Sequence, residues 1–184
     1  KHHPKLQVHA GYTDRFVDLI AEGFDCAIRV GHLLDSNILA RRVGSIYATY
    51  VATPAYIKMH GAPETPEEFV THQVVMQGNE SWRVMNGDKV ITLKPQGRFT
   101  ADNSVALVAA ALAGIGVAGF PTDLIQDHLE SGALVPIMTR YPPQGLGIYV
   151  VRPPGQNPTR KIRVLTEMLI ECYGHAYPKA LNKR

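Results

Sequence analysis

GYTDRFVDLIAEGFDCAIRVG, residues 11–31, is the stretch that decides the fold class of this 184-residue chain. Thr13 and Asp14 stand where a helix N-cap and an acidic first turn belong. Phe16, Leu19, Ile20 and Phe24 recur at spacings of three and four, one face of a helix. Gly23 follows where a left-handed residue ends a helix. Cys26 to Val30 is apolar except for Arg29, the pattern of a strand covered on both faces, as in parallel sheets. With a preceding strand over residues 6–12, the stretch predicts a βαβ unit with a right-handed crossover. Gly31 would end its second strand at a ligand crevice.

Outward from this unit the pattern continues as short strands and helices. Residues 38–43 and 46–52 read as strands. Thr53-Pro54 sets a helix start, and Thr65 with Glu68 has capping-box spacing. Residues 73–77, 81–84, 90–93 and 97–100 read as strands, with Asn86-Gly87 marking a hairpin. Trp82 is expected to pack on this small sheet, its rival role being an exposed ligand platform. Asp102-Asn103-Ser104 opens a helix over 105–113 that is apolar nearly all round and therefore expected to be buried. A strand over 116–120 follows, then a helix capped by Thr122, a strand over 134–138, a strand over 147–151, and a last helix from Thr159. That helix carries Ile162, Leu165, Leu169 and Cys172 on one face. The change from βαβ to short antiparallel strands and back predicts two lobes and two crossings, hence a hinge with a ligand cleft. Lobe I is expected over residues 1–50 and 142–184, and lobe II over 51–141.

Composition restricts function. Hydrophobic residues make up 45% of the chain, enough for a real core, and no apolar run is long enough to span a bilayer. No signal-peptide pattern opens the chain, and its start at Lys1 suggests a piece of something longer. A net charge of +3 permits an acidic ligand without requiring one. Arg160, Lys161, Arg163, Lys179, Lys183 and Arg184 read as a solvated helix face and tail, with a nucleic-acid patch as the rival. Cys26 and Cys172 read as reduced core thiols, which places the protein in the cytoplasm. The spacing of His2, His3 and His9 fits no metal geometry and no CxxC occurs, so neither metal nor cofactor is expected. His32 and Asp35 could be an acid and a base, but no positioned nucleophile, G-x-S-x-G or phosphate-cradling loop accompanies them; catalysis is not expected.

The residues that would hold a ligand are helix starts and strand ends. Thr53, Pro54, Asn103 and Ser104 offer backbone N–H groups suited to a carboxylate or other anion. Gly31 and His32 end one strand; Gly119, Phe120 and Pro121 end another, with Phe120 able to cover an apolar ligand body. Each could equally be an ordinary cap or turn. Arg29 could pair with an effector carboxylate, though a structural ion pair is the preferred reading.

The ordered set DRFVDLIAEGFDCAIRVGHLLDSNILARRVG (14–44), ATPAYIKMHGAPETPEEFVTH (52–72), GRFTADNSVALVAAALAGIGVAGFP (97–121), GALVPIM (132–138) and RKIRVLTEML (160–169) resembles the effector-binding domain of LysR-type bacterial transcription regulators. The resemblance implies an α/β, two-lobed fold like that of type 2 periplasmic binding proteins, each lobe a mixed sheet flanked by helices, joined by two hinge crossovers. It implies a small-molecule effector, anionic or aromatic, between the lobes, and effector contacts at Gly31, Asn103 and Phe120. It also implies a homodimer or homotetramer that places a separate N-terminal winged helix-turn-helix on DNA. That helix-turn-helix is absent here, so DNA would be reached only through the missing part, and no membrane is involved. The family's first effector-domain strand and helix, whose joining turn supplies a Ser or Thr to the ligand, would fall before Lys1. Such a fragment is expected to be the ordered part of a longer chain or to be unstable alone. A solute-binding protein of a transporter and an enzyme on the same fold are the rival functions.

Overall fold

The computed structural model describes residues 7–12, 17–31, 39–78, 81–153 and 157–174. The chain divides into two compact units, Lys1–Ile46 with Leu146–Arg184, and Tyr47–Gly145. The second unit is a continuous insertion into the first. The divisions fall at Tyr47, between two strands, and at Gly145, a few residues from the boundaries set by the sequence pattern.

In chain order, unit 1 begins with β1 (Ala27–Gly31) and β2 (Leu39–Ile46). Unit 2 contains β3 (Ala48–Ala52), α1 (Pro54–His60), α2 (Pro66–Phe69) and β4 (Val74–Met76). The hairpin β5 (Trp82–Asn86) and β6 (Lys89–Leu93), then β7 (Gly97–Thr100) and α3 (Ser104–Leu112), follow. β8 (Val117–Pro121), a 3-10 turn (Thr122–Ile125), α4 (Gln126–Glu130) and β9 (Val135–Pro136) complete unit 2. The chain then returns to unit 1 as β10 (Leu146–Arg152) and α5 (Arg160–Tyr173).

Local chemistry sets the helix starts. Thr53 Oγ1 accepts from Tyr56 N at 3.1 Å, with Pro54 at the first helical position. Thr65 Oγ1 accepts from Glu68 N at 3.3 Å, while the Glu68 carboxylate accepts from Glu64 N at 2.9 Å. Asn103 Oδ1 accepts from both Val105 N and Ala106 N, at 2.8 and 3.2 Å. Thr159 caps α5. Thr122 does not cap a helix: its hydroxyl donates to Tyr47 O at 3.3 Å, and a 3-10 turn takes the place of the expected helix start.

Unit 2 is built on a five-stranded sheet of order β7-β4-β8-β3-β9. β4 runs parallel to β7 and β8, whereas β3 runs antiparallel to β8 and β9. Alternation puts Val51 and Phe120 on one face, against Leu107 and Ala111 of α3 and against Ile125 and Leu134. The other face carries Tyr50, Ala52 and Val74 against Tyr56, Phe69 and Val84. Trp82 stacks on Tyr50 with ring centroids 5.0 Å apart and meets Phe69 at 5.4 Å, so it is part of this core. α3 is buried along Leu107, Ala110 and Ala111 only; Val105 is exposed, so the helix is not covered all round as its composition suggested.

Unit 1 departs further from expectation. Its sheet is β1-β10-β2, and both pairings are antiparallel. Residues 7–12 form no strand, and residues 17–23 make only a turn, closed by Glu22 N donating to Asp18 O and Phe24 N donating to Leu19 O. The βαβ unit is therefore not formed among the described residues. An apolar run reports that a strand is covered, but not which strand lies beside it. β1 sits at the sheet edge with Ile28 and Val30 49% and 52% exposed. α5 packs Ile162, with Leu169 and Ile170, on Val43, Ile148 and Val150. Cys26 is half-buried and Cys172 is exposed, so Cys172 is not a core thiol. At 100° per residue it lies about 80° around the helix from Ile162, off the buried line.

Candidate functional site

Strand direction decides which expected ligand groups can act together. β4, β7 and β8 are parallel, so Met76, Thr100 and Pro121 end at one edge of the unit 2 sheet. β3 starts at that edge, with Ala48 opposite Pro121 and Thr49 opposite Phe120. In open α/β sheets ligands gather outside the carboxyl ends of the strands. α3 follows β7, so its cap Asn103 and first residue Ser104 lie at this edge. β7 and β8 are separated by β4, which spaces Asn103 from Pro121 by about 10 Å.

Two threonines complete the edge: Thr49, which the sequence did not single out, and Thr122, which it read only as a helix cap. Thr49 Oγ1 and Thr122 Oγ1 are 2.8 Å apart, and Thr122 N and Oγ1 both donate to Tyr47 O. With the Thr122 proton so engaged, Thr49 donates to Thr122. No local pattern signals this pair, because it depends on the β3–β8 register across seventy-three positions. Asn103 already accepts two of the α3 first-turn N–H groups, leaving the Ser104 N–H and hydroxyl as the donors that capping does not occupy. The edge thus offers an amide, hydroxyls and one helix N–H, groups that hold a ligand by hydrogen bonds.

The other expected residues lie elsewhere. Phe120 is 3% exposed and packs in the α3-side core, so it is not placed to cover a ligand. Gly119 lies opposite Tyr50, where an added Cβ would come within 2.9 Å of the tyrosine ring; close packing accounts for this glycine. Thr53 and Pro54 are at the opposite edge, because β3 ends there. Gly114, just past the carboxyl end of α3, lies against Thr53 Oγ1, so Thr53 is about a helix length, about 14 Å, from Asn103. Thr53 is buried and α1 has seven residues. Gly31, in unit 1, ends β1 opposite Gly147 with φ 150°. This is the end of its own sheet from which both crossings leave, since Leu146 pairs with Ile46 beside it. His2, His3, His32 and Asp35 lie outside the described residues.

The displaced titrating groups are away from the candidate edge. Burial pushes the Tyr50 phenol well above its usual range. Near Thr53, Tyr56 is also raised by burial, and its hydroxyl accepts from Gln73 N at 3.2 Å. The same hydroxyl is hydrogen-bonded to His72 Nδ1 at 3.1 Å. Burial, then the neighbouring His60, holds His72 below the usual histidine value against an opposing pull from Glu68. Burial, with Asp25 beside it, raises the Cys26 thiol.

A continuous α/β unit inserted into another, with hydrogen-bonding groups at the carboxyl ends of parallel strands, is an architecture of the ligand-binding class. Within that class the chain belongs to the LysR substrate binding domain family, whose profile matches residues 1–172. An uncharacterized HTH-type transcriptional regulator of Haemophilus influenzae is 30% identical over 155 residues, covering 82% of this chain and 54% of the relative. The HTH-type transcriptional activator AaeR of Escherichia coli is 28% identical over 177 residues, covering 94% of this chain and 57% of AaeR. The chain thus spans a little over half the length of these curated relatives. Among solved structures, the full-length Vibrio cholerae virulence activator AphB superposes with a TM-score of 0.76 at 24% identity, covering 94% of this chain and 60% of AphB. The regulatory domain of CrgA from Neisseria meningitidis gives 0.71 at 24% identity, covering 88% and 81%. Such regulatory domains have the two-lobed periplasmic-binding-protein-like α/β fold, and the relatives are regulators rather than transporter solute-binding proteins.

Proposed function

We propose that this chain is the effector-sensing and self-associating part of a LysR-type transcription regulator, without catalytic activity of its own, acting in the cytoplasm through a DNA-binding domain outside this sequence. The family match over residues 1–172 carries the reading. The effector is a small anionic or aromatic metabolite. Its contacts are the groups at the crossing edges: Asn103, Ser104 and Pro121 with Thr49 and Thr122 in unit 2, and Gly31 with its neighbour His32 in unit 1. Thr53, Pro54, Gly119 and Phe120 support the fold around them. Val105 and Ala109, four residues apart on the outer side of α3, are exposed apolar surface that suits contact with a second copy. Effector binding biases the equilibrium between two arrangements of the subunits and so repositions the DNA-binding heads.

A thermal-denaturation screen of small carboxylates, aromatic acids and amino acids tests the reading on the intact regulator. A ligand at about 100 times its Kd stabilises by about 2.7 kcal/mol, a rise of roughly 5–10 °C for a domain of this size. Ser104→Glu, which sets a carboxylate among the ligand's donors, should abolish the rise and leave the unliganded melting temperature within about 2 °C. A rise that survives this substitution would move the effector away from the α3 edge.

A further inference from the structure

Unit 1 contains a cavity of about 310 Å³ between β2, β10 and α5, at the small end of the range for ligand pockets. We infer that it is a second ligand site, separate from the unit 2 edge, for a small organic dianion: a phosphate group on an apolar body.

The register builds it. Arg41 pairs with Val150 and Leu39 with Arg152 across the β2–β10 ladder. Residues two apart share a face, so all four lie on the side that α5 covers. Arg41 and Arg152 are then diagonal neighbours, with backbones about 7–8 Å apart. Arg163, next to Ile162 on α5, adds a third guanidinium to the cavity lining. No acidic side chain lines the cavity among the described residues. Arg41 and Arg163 bring two like charges to one space, and an anion there removes their repulsion while meeting fork-shaped donors that match phosphate.

The neighbouring cations are treated differently. Arg42, the next residue along β2, bonds its own strand, to Ser45 Oγ at 2.8 Å and Gly44 O at 3.4 Å. Lys161 pairs with Asp25 at 3.1 Å. The Arg41 and Arg163 side chains make no hydrogen bond or ion pair to another described residue. The cavity floor is largely apolar, and its one hydroxyl is satisfied. Val150 and Ile162 are buried, and the buried Thr166 hydroxyl donates to Ile162 O at 2.7 Å. Guanidinium groups around such a floor suit a ligand with a charged head and an apolar remainder.

Calorimetric titration of the protein with phenyl phosphate at low salt, with hydrogen exchange to locate the probe, tests the inference. One saturable site per chain is expected, with protection over residues 39–41 and 150–152. Arg41→Gln and Arg163→Gln should each weaken binding by about tenfold or more, the loss of one charge-assisted contact. Arg42→Gln should leave it unchanged. Inorganic phosphate, lacking the apolar body, and benzoate, with a single charge, should both bind more weakly. The inference is overturned by no saturation below about 10 mM, a range weaker than ordinary metabolite sites, or by equal weakening in Arg42→Gln and Arg41→Gln. Protection confined to the start of α3 would also overturn it, by assigning the probe to the effector edge; failure at 39–41 leaves the unit 2 reading intact.

Discussion

Unit 2 and unit 1 are both sheets with helices, yet they are held together to different degrees. The unit 2 sheet is covered on both faces, and Val51, Phe69, Val74, Val117, Ile125 and Leu134 are fully buried. Among the described residues, unit 1 has three strands and one small cluster of Val43, Ile148, Val150 and Ile162, while Ile28, Val30 and Leu39 are exposed. Apolar burial is the main stabilising term, so the described residues of unit 2 are held more strongly than those of unit 1.

The largest test is a core truncation in each unit. Phe69→Ala should cost unit 2 about 3–5 kcal/mol, and Ile162→Ala should cost unit 1 about 2 kcal/mol. Trp82, the single tryptophan, lies against Phe69 and reports unit 2 alone. Urea unfolding followed by its fluorescence should shift with the first substitution and hold with the second; equal shifts would show that the two units unfold together.

Gly116→Ala comes next. A Cβ there would lie 2.3 Å from Gln73 O, backbone that cannot step aside, so a loss of about 1–3 kcal/mol in the same transition is expected. A null effect would mean that the start of β8 is looser than its neighbours. Thr53→Ala should cost about 1 kcal/mol through the lost cap of α1 and leave effector response unchanged, because Thr53 lies at the far edge. A lost response would return Thr53 to the ligand.

The smallest effect is one of pH. Neutral His72 with its proton on Nε2 can accept the Tyr56 proton at Nδ1; protonated His72 cannot. Its folded value is lowered, so the unfolded chain takes up the proton first as pH falls. The contribution is complete above the ordinary histidine range and is lost as pH falls through the folded value. The urea midpoint of the native protein should therefore drop more between pH 7.5 and 5.5 than that of His72→Gln.

Short-range chemistry was legible in the sequence. The caps Thr53, Thr65, Asn103 and Thr159 all bond as their spacing predicts, Gly87 turns the β5–β6 hairpin with φ 59°, and Gly23 and Gly114 end their turns at positive φ. What depends on partners across the chain was not. The neighbours of β1, the opposite-edge position of Thr53 and the Thr49–Thr122 pair follow from strand direction and register. Those are set by contacts that no local window contains. The candidate site was less legible than the fold for that reason: the expected residues that the structure describes lie at helix starts and in strands, but only some share an edge.

The insertion of unit 2 into unit 1 also orders events during synthesis. β2 must wait for β10, about a hundred residues later in the chain, before its ladder can close. At roughly 5–20 residues per second that is a delay of roughly 5–20 seconds. Every strand of unit 2 has emerged by then, so the inserted unit can fold on the ribosome while the unit that encloses it is still an open pair of strands. Unit 1 is thus the half of the chain that completes its sheet last.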